Sequence, residues 1–331
     1  MRAKNWCGLQ AIVCVLFLLS NNALHAKEAD VFKAAKLDGP DHCPICVIDA
    51  DGSNLTIVTD LGEGKYAGSP NVSPDGKFVV FDAWLSDDTG AQQAKVFTVG
   101  IDGKGLKELT LGSMPSWLPI AKLAGAKESE VKDSQRLLTF FRHGRDFGLW
   151  TIALDGSRLT QMNRNGTSPR FSPDGTKLAY NRVGPNGGVV IADLKKPKAE
   201  HELVAPNQND DGPCEYLHGF DWSPDGKRIC VQARTGQETY QVRIVDVDSK
   251  EIAKKELVTS NSFCWSPDGN RVMCTVTKDG LQQLFTFDPK DEEPKLKLVP
   301  GQPANRHNNS GVWAADGAKI VFTSEFPKDE E

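Results

Sequence analysis

The motif Ser-Pro-Asp-Gly, each time preceded by one large residue, recurs along this chain and constrains its fold more than any other feature. It stands at Val72–Gly76, Phe171–Gly175, Trp222–Gly226 and Trp265–Gly269, and a degenerate copy, Trp313-Ala-Ala-Asp-Gly317, follows near the end. The gap from 72 to 171 is about twice the others. Within it, Pro115-Ser-Trp117-Leu-Pro119 matches Pro169-Arg-Phe171-Ser-Pro173 up to the Asp-Gly position, where the residues from Ile120 to Ser134 replace the turn. A strand-like run resumes at Arg136–Arg142. The large residue therefore repeats at 72, 117, 171, 222, 265 and 313, spaced 43 to 54 residues apart. A period of this length marks an architecture of stacked units.

Each unit reads as four antiparallel strands, A to D. Ser-Pro-Asp-Gly makes the A–B turn: proline presets φ, aspartate suits the next position, and glycine supplies the left-handed residue that returns the chain. The B runs Phe78–Phe81, Lys177–Tyr180 and Lys319–Phe322 are rich in branched and aromatic residues, as strands are. C and D follow around a second tight turn, Asp155-Gly156 after Leu149–Ala153 and Asp102-Gly103 after Val96–Val99. Six such units describe an all-β, six-bladed β-propeller of four-stranded antiparallel blades. The ends discriminate the closed ring from an open stack. Ile45–Val58 is a C–D pair with no A and B before it, and 311–325 is an A–B pair with no C and D after it. Together they make one blade, and closure removes the exposed sheet edges an open stack leaves. The chain thus divides into an export signal (1–26), a linker (27–44), the propeller (45–325) and an acidic tail (326–331).

These repeats resemble those of the TolB-like propellers, over residues 45 to 325. The resemblance implies a periplasmic protein that binds an outer-membrane lipoprotein and the Tol machinery. TolB proper carries an α/β domain ahead of its propeller, where this chain has only residues 27–44, so the Tol part of that expectation is weaker. A propeller is a scaffold that hosts many functions.

Arg2 and Lys4 precede an apolar run from Ala11 to Leu19, and Ala23-Leu-His-Ala26 offers small residues at a cleavage point, the pattern of an export signal. The run is too short to span a bilayer, and no transmembrane segment is expected after its removal. Residues 27–331 hold 37 basic and 44 acidic residues, a charge of about −7 that speaks against a nucleic-acid partner. Six cysteines remain: 43, 46, 214, 230, 264 and 274. In an oxidising compartment they permit several pairings. Cys43-Pro-Ile-Cys46 has metal-site spacing, but a single pair completes neither a zinc nor a haem site, and a Cys43–Cys46 disulfide is the expectation.

Antiparallel order puts the A–B and C–D turns on one face and the B–C and D–A connections on the other. The second face carries the long loops, Leu85–Lys95, Thr59–Ser69, Ala205–Gly219 and Pro300–Ser310, and long loops on a rigid scaffold are the usual carriers of function. Arg142, Arg182 and Arg234 each end a B strand there in an Arg-x-Gly context, the pattern of a rim for an acidic group or equally of solvated turn chemistry. His143, His218 and His307 fall on the same face; three imidazoles suffice for a catalytic metal, although none shows ligand-like spacing. With Arg306 these residues make the candidate ligand face. Asn207–Asp211 with Asp87-Asp88 offers hard oxygens for Ca²⁺ without a calcium-loop motif.

The repeated aromatics at 117, 171, 222, 265 and 313 read as packing between blades. No Gly-x-Ser-x-Gly elbow or phosphate-binding glycine loop is present. The expectation is a monomeric, non-catalytic scaffold, without cofactor, that binds a protein or a cell-envelope polymer. The alternative is a metal-dependent polysaccharide lyase or hydrolase on the same scaffold.

Overall fold

The computed structural model describes residues 31–37, 42–85, 93–119, 125, 127, 130–183, 188–196, 200–204, 215–234, 240–255, 257 and 262–327. The expected export signal, Cys214, the candidate Ca²⁺ loops at 87–88 and 207–211, and most of the 120–134 insertion lie outside them. Six sheets form the blades. Their inner strands are Lys65–Val72, Ser113–Trp117, Gly166–Phe171, Glu215–Trp222, Phe263–Trp265 and His307–Trp313 for blades 1 to 6. The last blade is built from both ends of the chain. Its inner pair, His307–Trp313 and Lys319–Glu325, continues into Ile45–Asp49 and Thr56–Thr59, with Ile45 opposite Thr323 and Asp49 opposite Lys319 in antiparallel register.

The Ser-Pro-Asp-Gly turn has a physical reason for each residue. Ser223 is fully buried, and its hydroxyl donates to Asp225 Oδ1 at 2.5 Å while accepting from the Arg228 backbone N–H at 2.9 Å. Asp225 Oδ1 also accepts from the Lys227 N–H at 3.0 Å. Ser73, Ser172 and Ser266 repeat the arrangement. Gly226 closes the turn at φ 69°, where a side chain is disfavoured. In blade 6, Ala314 drops the serine hydroxyl, but Ala318 still donates to Asp316 and Gly317 N to Ala314 O. Ser223→Ala leaves the Arg228 N–H buried without its acceptor, so a loss of about 1–3 kcal/mol in urea denaturation is expected. A loss below a few tenths would show that the hydroxyl is dispensable there as it is in blade 6.

Hydrophobic packing lies between blades. The described residues form six core clusters, one for each pair of neighbouring blades around the ring. Alternation along the second strand of a blade feeds both sides. Ile229 and Val231 pack toward blade 3, whereas Cys230 packs toward blade 5. The repeated aromatic anchors five of the six described interfaces, with Val72 in its place between blades 6 and 1: Phe78 lies 6.5 Å from Trp117, and Arg228 and Arg271 stack over Trp265 and Trp313 of the following blade at 4.9 and 4.7 Å. The cluster between blades 6 and 1 joins Ile45, Val47 and Val321 to Val79 and Phe81. The ring is thus sealed by apolar contact as well as by strand pairing.

Within the segment expected as a linker, residues 31–37 and 42–43 pack onto the propeller. A helical turn at 31–34 leads Phe32 and Leu37 into the cluster between blades 5 and 6. His42–Cys43 then adds a short parallel strand beside Lys65–Tyr66 on the inner edge of blade 1.

Candidate functional site

The inner strands surround a channel, and each bends in the same way. Counting from the repeated large residue as position 0, position −3 is Ser69, Met114, Ser168, Gly219 and Ser310 in blades 1, 2, 3, 4 and 6. All five have positive φ, between 45° and 96°, at a shift in strand register. Such a bulge re-aims backbone and side chains. A non-glycine residue held there costs on the order of 1–3 kcal/mol, strain that concentrates at functional sites.

The inner edge of a blade also presents backbone N–H groups with no strand beside them, which burial forbids unless partners are found. Position −1 of the preceding blade supplies them. Asn71 Oδ1 accepts from Trp117 N at 3.4 Å, Asp221 Oδ2 from Trp265 N at 2.9 Å, and Cys264 Sγ from Trp313 N at 3.4 Å. In the same sense, the indoles of Trp117 and Trp222 donate to the carbonyls of Asn71 and Arg170. Asp82 Oδ2 likewise accepts from Met114 N at 2.9 Å. The channel wall is therefore laced blade to blade by side chains that the repeat register specifies.

Two adjoining cavities occupy the channel. One, of about 300 Å³, is bounded by Asn71, Arg170, Asp221, Phe263, Cys264 and Asn309, among others. A second, of about 400 Å³, lies toward the second face, between blades 6 and 1, where Cys43, Tyr66, Trp84, His307 and Glu325 line it. Gln282, Asn309 and Ser310 belong to both. Trp84 is 40% exposed, an aromatic surface at the mouth.

Burial raises the carboxyls of Asp82 and Asp221 to about 6 each, opposed by the hydrogen bonds from Met114 N and Trp265 N respectively and, more weakly for Asp82, by the positive charge of Arg170. Burial lowers Arg170 in turn, opposed by the charge of Asp221. A folded carboxyl pKa above the unfolded value means that the folded state holds the extra proton. Stability from these groups is present below about pH 4 and is lost as pH rises through about 6. Asp82→Asn keeps the acceptor for Met114 N and removes one titration. Urea melts between about pH 4 and 7 should show a shallower fall in stability than the parent, with up to about 2 kcal/mol regained at neutral pH. An unchanged slope would show that Asp82 does not titrate in this window.

The residues expected to form a ligand face are dispersed among several roles. Arg142 ends its strand as expected but turns back onto the protein, donating to Leu111 O and Thr110 Oγ1 and stacking 4.5 Å over Trp150. His143 packs 4.5 Å from Phe141 and is half-buried. Arg182 ends its strand and is half-buried. Arg234 ends its strand, and His218 lies within the inner strand of blade 4; their side chains are outside the described set. His307 does line the mouth, its Nδ1 accepting from Gln282 N at 3.1 Å. Arg306 is buried and faces inward. It donates to Leu37 O, Ser324 O and Ser324 Oγ, and lies 4.3 Å over Phe32. It pins the N-terminal segment to the last strand, which excludes a free ligand-binding role.

Cys43 and Cys46 are free thiols in the structure. Three residues apart in extended chain, they face opposite sides: Cys43 donates to Ala67 O at 3.4 Å, and Cys46 enters the cluster with Phe32 and Leu37. The expected pairing is therefore not formed. Burial pushes the Cys43 thiol up to about 12 and raises Cys46 as well, so both stay protonated and unreactive. Among the described residues no three His, Cys, Asp or Glu side chains converge to hold a metal.

Arg170, Asp221 and Asp82 are absent from the candidates read from sequence. The available signal was position −1, where two adjacent repeats carry opposite charges beside a fixed aromatic and the other repeats carry Asn71, Ser116, Cys264 and Val312.

No family model matches the chain. It is 31% identical over 146 residues to an uncharacterized protein of Agrobacterium fabrum, covering 42% of this chain and 46% of that one. It is 30% identical over 135 residues to a TolB homolog of Chlorobium chlorochromatii, covering 40% of this chain and 27% of that one. The matched stretch thus spans less than half the length of either relative. In fold, it superposes on a TolB structure from Agrobacterium tumefaciens with a TM-score of 0.63 at 17% identity, over 88% of this chain and all of that one. Among the described residues no helix is long and apolar enough to cross a membrane. Ring and repeat make the chain a six-bladed β-propeller, and it resembles TolB in part of its sequence and in fold.

Proposed function

We propose that the chain is exported and works without catalysis, as a rigid propeller that binds a protein or a cell-envelope polymer across the channel mouth on its second face. The observation that carries this reading is the pair of adjoining cavities, about 300 and 400 Å³, that lead to a mouth bearing Trp84, His307 and Glu325. An aromatic with polar neighbours at a concave opening suits recognition of a macromolecule. The kinship with TolB supports an envelope location, and the apolar run at 11–19 supports export. Closure fixes the blades, so a ligand meets a preformed channel wall and little is spent on ordering it.

Site-specific photo-crosslinking in the producing cell tests this reading. A benzophenone side chain in place of Trp84 should give covalent adducts of higher mass. The same group in place of Lys227, an exposed residue on the turn face, should give none. Adducts from Lys227 alone would overturn the assignment of the binding face.

A further inference from the structure

The smaller cavity carries a charge pattern that a macromolecule at the mouth does not explain. Arg170 and Asp221 occupy position −1 in adjacent blades, so they meet the channel at one level. Each feels the other's charge, yet no direct salt bridge joins them among the described contacts. Arg170 commits Nη1 to Pro169 O at 2.9 Å, and Asp221 commits Oδ2 to Trp265 N at 2.9 Å. Asp221 is also bonded by the Trp222 backbone N–H and the Cys264 thiol, and both Arg170 and Asp221 line the cavity. The inner strands bulge two residues earlier, and Ser69, Ser168 and Ser310 at those strained positions line the same space, as do the amides of Asn71 and Asn309.

A simple anion would be drawn to Arg170 but repelled by Asp221 and by Asp82 nearby. A simple cation would meet the reverse. A ligand with both charges close together satisfies both groups, each through a charge-assisted hydrogen bond. The volume, about 300 Å³, is at the small end for ligand pockets, and Phe263 and Val312 offer an apolar wall for a short side chain.

We propose that the channel cavity is a binding site for a small zwitterion of the α-amino-acid type, its carboxylate held by Arg170 and its ammonium by Asp221. The site is internal and goes beyond binding at the mouth, so the two readings stand or fall separately.

Calorimetric titration of the purified full chain with glycine, alanine and glycylglycine tests it, beside two capped probes. N-acetylglycine lacks the ammonium and glycinamide lacks the carboxylate. At least one zwitterion should bind at millimolar concentration or tighter, and each cap should weaken binding roughly tenfold or more. Arg170→Gln and Asp221→Asn should weaken the zwitterion to a similar degree. The capped probes on the unaltered chain keep the test decisive even where a variant misfolds. No zwitterion binding at millimolar concentration, or binding that tolerates either cap, would overturn the proposal.

Discussion

Cut before Gly311, the chain should lose its cooperative unfolding transition altogether, and deletion of residues 45–58 should do the same. Neither change removes a self-contained unit. The first deletes Trp313, Ile320, Val321 and Phe322, which feed the clusters on both sides of blade 6. It also strips Ile45–Asp49 of one of its two antiparallel partners. Four buried side chains of this kind contribute about 1.5–3 kcal/mol each, which together is comparable to the roughly 5–15 kcal/mol that holds a typical domain folded. Losing them opens two of the six described interfaces, bares apolar faces of blades 5 and 1 and frees the edge of Ile45–Asp49, so aggregation should accompany the loss. Thermal denaturation followed by circular dichroism, with light scattering, checks the outcome. A truncated chain that stayed monomeric with a sharp transition near that of the parent would mean that the blades do not depend on closure.

Replacement of Arg306 by alanine should cost about 3–5 kcal/mol, because buried acceptors left without their donor cost about 1–3 kcal/mol each. Its guanidinium ties together Leu37, His42 and Ser324 and lies over both Phe32 and Phe326. Its backbone carbonyl in turn accepts from Gln283 Nε2 at 2.7 Å. Without it, three carbonyl oxygens lose their donor and the segment carrying Phe32 and Leu37 loses its anchor. The expected signature beyond lower stability is selective proteolysis ahead of Ile45, with the propeller behind it resisting at low protease concentration. Unaltered proteolysis would show that Phe32 and Leu37 hold the segment unaided. Arg306→Lys should recover little, because a point charge on a thin stem cannot reach several carbonyls and stack on two rings.

The ring is legible in this sequence because its period is written in residues whose physics is local. A buried serine, a fixed proline, an aspartate and a left-handed glycine make one hairpin wherever they occur, and blade 6 shows which of them is spared most easily. The half-units at the two ends are legible because a strand pair without its partners leaves an edge. The inner strands are read less well. Lys65–Ser69 and His307–Ser310 are expected in loops, but they are strand. Runs such as Gly68-Ser-Pro-Asn71 hide their strand character because the bulge at position −3 breaks the alternation of side chains. The N-terminal segment is missed for a different reason. Phe32, Leu37 and Cys46 are too few to show a period, and their partners Met273 and Leu284 lie far along the chain. Arg306 misleads in the same way: loop arginines are usually solvated, and only the meeting of both chain ends around it makes it buried.

The most direct test of the account is a covalent bond across the closure. Asp49 and Lys319 are opposite residues on the strands that join the two ends of the chain, and Lys319 Nζ donates to Asp49 Oδ1 at 2.6 Å. Asp49→Cys with Lys319→Cys, oxidised under mild conditions, should form an intramolecular disulfide in nearly every molecule, giving a compact monomer on a non-reducing gel, while either single variant should not. Failure to form that bond, or a product dominated by disulfide-linked dimers, would contradict a ring closed by its own two ends.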